Sequence, residues 1–168
     1  MSVSHSEARM SDISVRDSAV LYAIGQSPMD RIHLMKALFL PWYRAGKSVP
    51  NYFSFEPYLY GPCSFDVYAS LDRLLDLGLV AKVPGFNERW SKLRVTAVGS
   101  EVLKEVGGTI DAALAARIDK SVSEVSGLDL GGLLEKVYTE APEFAVRSVY
   151  LPVLQRLKPS SALPVVAR

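Results

Sequence analysis

Cys63 is the residue of this sequence best placed for nucleophilic chemistry, because a thiol at the mouth of a helix can ionise near neutral pH. It is the only cysteine in the chain, and a helically spaced segment begins two residues later. A cysteine nucleophile also needs a base, usually histidine, and nothing in the sequence brings His33 to Cys63. We expect Cys63 to be a small buried side chain, and a thiol enzyme is a weaker alternative.

The other polar groups lack the spacing of a catalytic, metal or cofactor site. The carboxylates closest together in the C-terminal third are Glu135, Glu140 and Glu143. Their spacing does not indicate a paired acid and base, and solvated helix faces explain them. Gly107-Gly108 and Gly131-Gly132 lack the Lys and Ser or Thr of a phosphate-binding loop. With one Cys and two His, a zinc site is implausible. We expect no enzyme, no cofactor and no metal.

Cationic side chains are concentrated between residues 81 and 94. That segment holds four cations against the single carboxylate Glu88; the cations are Lys82, Arg89, Lys92 and Arg94. Arg44 and Lys47 could extend the basic surface. Contacts from such side chains to phosphates position a protein on duplex DNA, although an ordinary solvated surface explains the same charges.

Residues 65–77 carry the opposite charge balance. Arg73 stands there against Asp66, Asp72 and Asp76. Carboxylates repel phosphates, so this segment is not expected to enter a DNA groove deeply. Arg73 is expected only to assist the cations of residues 81–94.

The aromatic stretch "YFSFEPYLY" at 52–60 has two interpretations. Bases stack on Tyr and Phe rings, but residues 51–71 contain no Lys or Arg to hold the phosphates. We therefore expect packing, with Phe53 and Phe55 in the core and the tyrosines between this strand and neighbouring helices. Alternation predicts an extended run that Gly61-Pro62 stops.

Composition favours one compact, intracellular domain. The chain has 168 residues, 49% of them hydrophobic, and a net charge of +1, so any basic surface is local. No stretch reaches the roughly 18 apolar residues of a membrane span, and the first residues lack the apolar core of a signal peptide. The lone cysteine suits a reducing cytoplasm. We expect tails at 1–11 and 158–168.

Capping residues, Pro, Gly and helical periodicity predict the elements of the N-terminal half. Ser14 or Asp12 caps a helix over about 15–25. A second helix is expected to start at Ser27-Pro28 and to end or kink at Pro41. A third occupies 65–77, with a stripe that includes Phe65, and Ser64 and Gly78 are its expected limits.

The segment after Gly78 predicts a hairpin followed by more helices. Two strand-like runs, 79–83 and 90–96, flank the turn-forming pair Pro84-Gly85. Thr96 then caps a helix that ends at Gly107-Gly108. The expected fold is mainly α with a small β-sheet: a winged helix-turn-helix core over 12–108, with the hairpin as its wing. C-terminal helices over 109–157, capped by Thr109 and Asp129, form a homodimer interface or cover the core within the chain.

Parts of the sequence resemble known families. "LDRLLDLGLVAKV" and "RVTAVGSEVL" are similar to the helix, wing and helix of many bacterial winged-helix regulators. "RIHLMKALFL", "FSFEPYLYGPCSFDVYASLDRLLDLGLV" and "LLEKVYTEAPEFAVRSV" resemble the YwgA-like proteins and, more distantly, the SocA-like or Panacea domain of antitoxins. The likeness covers about 28–150. The Panacea resemblance implies neutralisation of a toxin by direct contact; this chain differs from that domain in its winged hairpin and longer C-terminal helical part.

Two functions follow as expectations. In the first, the chain is a DNA-associated regulatory module that contacts duplex DNA through the wing. In the second, it is an antitoxin or adaptor module that binds a protein partner through an aromatic and acidic face. The residues of that face are Tyr58, Tyr60, Asp66, Asp72 and Asp76.

Overall fold

The N-terminal helix begins at the predicted cap. The computed structural model describes residues 12–84, 91–157 and 163–164, and its first helix, α1, spans Val15–Gln26. The Ser14 hydroxyl accepts a hydrogen bond from the Asp17 amide, and the Asp17 carboxylate accepts one from the Ser14 amide, both at 3.1 Å. This reciprocal capping box satisfies two amides that have no partner within the helix.

The second helix, α2, spans Arg31–Arg44 and starts later than predicted. Its cap is Asp30, whose carboxylate accepts from the His33 amide at 2.9 Å, so the predicted start at Ser27-Pro28 is wrong. Met29 is instead held in a two-way antiparallel bridge to Leu93, with N···O distances of 3.3 and 2.8 Å. A residue in such a bridge has extended backbone, which excludes it from a helix.

Pro41 does not end α2, which was one of the two predicted outcomes; it lies inside the helix. Proline has no amide hydrogen, so the carbonyl four residues earlier, on Ala37, loses its helical donor. The buried hydroxyl of Ser121 donates to that carbonyl at 2.6 Å. A side chain distant in sequence therefore replaces the missing hydrogen bond.

The aromatic stretch forms a short hairpin rather than one extended run. Strands β1, Glu56–Tyr58, and β2, Gly61–Cys63, pair antiparallel, so Gly61-Pro62 begins the second strand and does not stop the first. The tight reversal is possible because Gly61 adopts a φ of +85°, a conformation that costs glycine little. Pro57 opposes Pro62, a position where the ladder needs no amide.

The predicted helix, hairpin and helix are confirmed in the next segment. Helix α3 spans Phe65–Asp76, β3 and β4 span Val80–Val83 and Lys92–Val95, and α4 spans Ala97–Val106. Gly78 has a φ of +73°. The Thr96 hydroxyl caps α4 by accepting from the Gly99 amide at 3.0 Å. Ser64 stands at the N-cap of α3, but its side chain makes no capping hydrogen bond.

Three more helices follow within the residues that the structure describes. They are α5, Ala112–Val125, α6, Leu130–Glu140, and α7, Leu151–Leu157. Asp129 caps α6 as predicted, but the cap of α5 is Asp111 and not Thr109. The Thr109 hydroxyl donates to the Val106 carbonyl at 2.6 Å, within the short 3-10 turn Gly107–Thr109. Another 3-10 turn spans Pro142–Phe144.

Over the described residues the architecture is mainly helical, with two separate two-stranded antiparallel sheets. Its first part runs helix, bridge, helix, helix, hairpin and helix, with the β1–β2 hairpin inserted before α3; apart from that insertion, the order is that of a winged helix. Helix α2 lies in the core and packs against α5, whose residues Ile118, Val122 and Val125 are buried within the chain. Within the described ranges, no helix is both long and apolar enough to cross a membrane.

Candidate functional site

Arg73 is held against the first helix. Its Nη2 lies 2.8 Å from Oδ1 of Asp17, and its Nε lies 3.2 Å from Oδ2. Ser70 donates to the same carboxylate at 2.6 Å. Burial raises the pKa of Asp17, but hydrogen bonds from Arg73, Ser70 and the Ser14 amide outweigh it, so the pKa lies below its ordinary value. The guanidinium predicted to assist DNA binding thus balances a buried charge.

The three acidic residues of α3 do not form one face. The carboxylate of Asp66 lies 2.9 Å from Arg16 Nη2. Asp72 and Asp76 are exposed and one helical turn apart, while six residues separate Asp66 from Asp72, which rotates it about 120° around the axis. Asp66 is therefore directed toward α1, and Asp72 and Asp76 carry the outward negative charge of α3.

The hairpin divides the predicted cations between its two faces. Lys92 and Arg94 are exposed and two residues apart on β4, so they share a face. Lys82 pairs with the buried Leu93 and lies on the other face. Arg89 lies outside the described ranges. Gly85, the second residue of the predicted turn Pro84-Gly85, also lies outside them.

Arg44 and Lys47 do not extend this basic surface, because each lies beside carboxylates of the C-terminal part. Arg44 makes ion pairs of 2.8 Å to both Glu124 and Glu140. Lys47 lies 3.9 Å from Glu143. Hydrogen bonds from Arg44 keep the pKa of Glu140 below its ordinary value, so this carboxylate belongs to a link between α2 and α6.

Most aromatic rings of residues 52–60 are packed inside, as predicted. Phe53 and Phe55 are buried, and Phe55 lies edge-on to Phe39 with ring centroids 5.5 Å apart. Tyr52 is also buried and its hydroxyl donates to the Leu38 carbonyl at 2.5 Å. Tyr60 is half-buried against the core. The three buried rings, Tyr52, Phe53 and Phe55, cannot stack on bases while the fold is intact.

Tyr58 departs from the prediction, because it lies at the surface within an apolar group that we call the hairpin-tip patch. Among the described residues, eight large hydrophobic side chains are exposed, and five of them fall here; the patch is Tyr58, Leu59, Phe65, Val146 and Val149. The rings of Tyr58 and Phe65 meet edge-on at 5.3 Å. The Val149 amide donates to the Leu59 carbonyl at 2.9 Å, which joins the two halves of the patch.

Phe65 belongs to the apolar stripe that helical spacing predicts on α3, but it is not buried with the rest of the helix. Its side chain is 64% exposed. The buried side chains of α3 are Val67, Ser70, Leu71 and Leu74. Phe65 has the same helical spacing, but it is the first residue of the helix and lies outside the core. A hydrophobic residue at such a boundary gives no signal in sequence that separates core from surface.

A shallow cavity of about 390 Å³ borders the patch. Tyr58, Phe65 and Cys63 line it together with carboxylates and one cation, which are Glu56, Asp66 and Arg147. Burial raises the pKa of the Cys63 thiol, and the nearby charge of Lys36 offsets only part of that effect. Cys63 is therefore mostly protonated at neutral pH.

His33 is bonded away from Cys63. Its Nδ1 lies 2.9 and 3.0 Å from the two carboxylate oxygens of Asp30, and its Nε2 lies 2.6 Å from the Leu128 carbonyl. Both partners accept only, so the ring donates from both nitrogens when it is an imidazolium. His33 thus joins the start of α2 to the loop before α6.

Lys36 is the least expected side chain of the core. It is 3% exposed, and its Nζ donates to the Pro62 carbonyl at 3.0 Å. Burial lowers its pKa to about 7, and Cys63 slightly opposes this. A lysine within a helix is ordinarily expected to face solvent. The sequence therefore carried no signal that Lys36 is buried.

Within the described ranges, no group of three or more His, Cys, Asp or Glu side chains is arranged to hold a metal ion. Comparison with protein-family models finds no family that matches the chain. A search of curated proteins also finds no match. The surface of the molecule is therefore the main guide to what it binds.

Proposed function

We propose that the chain is a non-enzymatic, cytoplasmic interaction module that binds another protein through the hairpin-tip patch. The observation that carries this proposal is the concentration of five exposed hydrophobic side chains around one hairpin. Apolar side chains scattered singly over a surface need no explanation, but a contiguous group rimmed by polar residues is typical of an interaction site. The resemblance to the SocA-like or Panacea domain favours the same class of function.

The shape of the patch supports the binding of a protein. Tyr58 and Phe65 belong to different elements, and their exposed rings meet edge-on with an interplanar angle of 76°, so together they offer an aromatic surface for apolar side chains of a partner. Aromatic anchors of this kind provide much of the binding energy at protein interfaces. The adjoining surface of α3 presents Asp72 and Asp76, so a partner with basic side chains beside its apolar pocket fits best.

A photocrosslinking experiment tests this proposal. A photoreactive phenylalanine analogue at Tyr58 is expected to form a covalent adduct with one protein in the native host. The same analogue at Val83, which is exposed on β3 away from the patch, provides the matched control. The proposal is contradicted if position 58 forms no adduct, or if positions 58 and 83 give the same products.

Binding of the purified partner then tests the side chains. Phe65→Ser and Val149→Ser are each expected to weaken binding by about tenfold or more, the usual effect of losing an interface anchor. Val83→Ser is the control and is expected to leave affinity unchanged. An adduct between two copies of this chain would identify the patch as a homodimer contact instead of a site for a different protein.

A second function, contact with duplex DNA, is favoured by one observation. Lys92 and Arg94 share the outer face of the wing, where they are placed to contact two phosphates. Two such contacts predict a slope of about −2 in a plot of log affinity against log salt. Lys92→Gln with Arg94→Gln is expected to abolish binding to random duplex, with Lys104→Gln as a control; no binding of the unmodified protein at micromolar concentration and low salt would exclude this function.

A further inference from the structure

A groove at the base of the wing has the chemistry of a ligand site and lies apart from the hairpin-tip patch. It is formed by the end of α1, by β4 and by α4, and its volume is about 420 Å³. We call it the wing-base groove; its lining includes Ile24, Val95 and Leu103 as apolar residues and Arg94, Lys104 and Ser100 as polar ones. Small-molecule sites in proteins usually measure about 300 to 1,000 Å³.

The floor of the groove is apolar and closely packed. Ile24 is almost fully buried beneath it, and Val95 and Leu103 pack partly against the core. Gly25 allows this approach, because a Cβ on that residue would lie only 2.7 Å from Leu103 Cδ2. The hydrocarbon part of a ligand would therefore lie on a preformed surface and displace water from it.

The rim is cationic. Arg94 and Lys104 are both exposed and line the groove, and none of the described residues that line it carries a carboxylate. Neither cation makes an ion pair or hydrogen bond with any residue in the described ranges. Arg73, Arg44 and Lys47, by contrast, are paired with carboxylates of the chain. Arginine binds a carboxylate in a two-point geometry that an ammonium cannot provide.

We propose that the wing-base groove binds a small amphiphilic carboxylate. Its carboxylate is held by Arg94 and Lys104, and its hydrocarbon body lies on Val95 and Leu103. The apolar floor disfavours a fully hydrated inorganic anion, and the two cations disfavour a neutral hydrocarbon. This inference uses no residue of the hairpin-tip patch, so its test is independent of the proposed protein binding; it shares only Arg94 with the proposed DNA contact.

Octanoate is the probe that tests the ligand class, in a titration of the ¹⁵N-labelled protein followed by amide chemical shifts. Saturable shifts are expected at Gly25, Ser100 and Leu103. Octanol supplies the apolar chain alone and acetate the charge alone, and each is expected to bind at least about tenfold more weakly, because each lacks one half of the recognition. Equal binding of octanol, or shifts confined to the hairpin-tip patch, would overturn the proposal.

Variants test the residues. Arg94→Gln combined with Lys104→Gln is expected to weaken octanoate binding by about tenfold or more, while Lys82→Gln, on the opposite face of the hairpin, leaves it unchanged. Ser100→Trp keeps both cations but fills the groove, and it is expected to block octanoate. These side chains are exposed, and the same spectra show whether each variant is folded. Unchanged affinity in either Arg94→Gln with Lys104→Gln or Ser100→Trp would exclude the groove.

Discussion

Asp17 and Arg73 form an ion pair that joins the first helix to the third, with 2.8 Å between Oδ1 and Nη2. The two side chains differ sharply in exposure: Asp17 is 1% exposed, whereas the Arg73 side chain is 51% exposed. The carboxylate depends on this partner, because a buried charge without one is strongly unfavourable. Arg73 therefore has a structural role that its position on the acidic helix α3 does not reveal.

Arg73→Ala is expected to lower the free energy of unfolding by about 2 to 3 kcal/mol, because it leaves the buried carboxylate of Asp17 without its cation. Urea unfolding at neutral pH measures the change. Adding Asp17→Asn is expected to recover part of the loss, since it removes the unpaired charge. Asp72→Ala, on the exposed side of the same helix, is the control and should change stability by less than about 0.5 kcal/mol. A loss of stability in Asp72→Ala similar to that in Arg73→Ala would contradict this role.

His33 predicts a pH-dependent contribution to stability. Burial lowers its pKa, but the hydrogen bonds to Asp30 and to the Leu128 carbonyl, with the charge of Asp30, raise it further than burial lowers it. A raised folded pKa means that the stabilisation is complete below the unfolded value of about 6.5 and is lost as the pH rises through the folded pKa. His33→Gln is thus expected to cost about 2 kcal/mol near pH 5.5 and less near pH 9.

Urea unfolding of both proteins across this range checks the difference, and an NMR titration of the imidazole checks its origin. Lys92 opposes the charge on His33, so Lys92→Gln is expected to raise the pKa of the ring further. A cost of His33→Gln that does not vary with pH would show that the ring acts only by packing.

Lys36 predicts the opposite trend. Burial lowers its pKa to about 7, below the ordinary value of about 10.4. The charged form opposes folding, so the free energy of unfolding rises as the pH increases from about 7 to about 10.4 and the ammonium loses its proton. The rise is at most about 1.4 kcal/mol per pH unit. Lys36→Met lacks this titration, so the stability of the unmodified protein relative to the variant is expected to increase from pH 7 to pH 10 in urea unfolding. A constant difference would mean that Lys36 is not neutral in the folded protein.

Ser121 replaces the hydrogen bond that Pro41 removes from α2. Ser121→Ala leaves the buried Ala37 carbonyl without a donor and is expected to cost about 1 to 3 kcal/mol in thermal or urea unfolding. Pro41→Ala restores an amide that can donate to the same carbonyl. In the presence of Pro41→Ala, the effect of Ser121→Ala should therefore be smaller. Equal effects with and without Pro41→Ala would show that Ser121 does not compensate for Pro41.

Gly61 and Gly78 offer a matched pair of substitutions. Both have positive φ, +85° and +73°. A Cβ at Gly61 would lie 2.5 Å from Cε1 of Tyr138, whereas a Cβ at Gly78 would have no atom of the described residues within 4 Å. Gly78→Ala is expected to cost about 1 to 2 kcal/mol from the backbone alone. Gly61→Ala adds overpacking and should cost about 1 to 3 kcal/mol more. Equal losses in unfolding experiments would mean that the ring of Tyr138 moves aside freely.

Local signals predicted most of the elements, because capping, helical periodicity and turn chemistry act between near neighbours. Ser14, Thr96 and Asp129 all cap the helices assigned to them. The predictions failed where a distant partner intervened: Met29 is drawn into a bridge by Leu93, and Pro41 is accommodated by Ser121. No pattern within a short window reports such partners.

The candidate sites were predicted less well than the fold. A count of charges placed Lys92 and Arg94 on the wing, but it could not show that Arg73 is paired with Asp17 or that Lys82 faces the other side. Exposure of Phe65 was missed because its spacing matches the buried stripe of α3. Charge and hydrophobicity are properties of residues, whereas availability for binding is a property of their surroundings.

The amino-acid sequence by itself thus predicted a mainly helical chain with a β-hairpin after Gly78, since each of those features depends on interactions among residues close in sequence. Pairing across the fold set the rest. Folding brought Tyr58, Phe65 and Val149 into one exposed patch, buried Lys36 beside Pro62, and placed Arg94 and Lys104 at the rim of the same groove. These outcomes depend on which distant surfaces exclude water from one another, and that is defined only once the helices have packed.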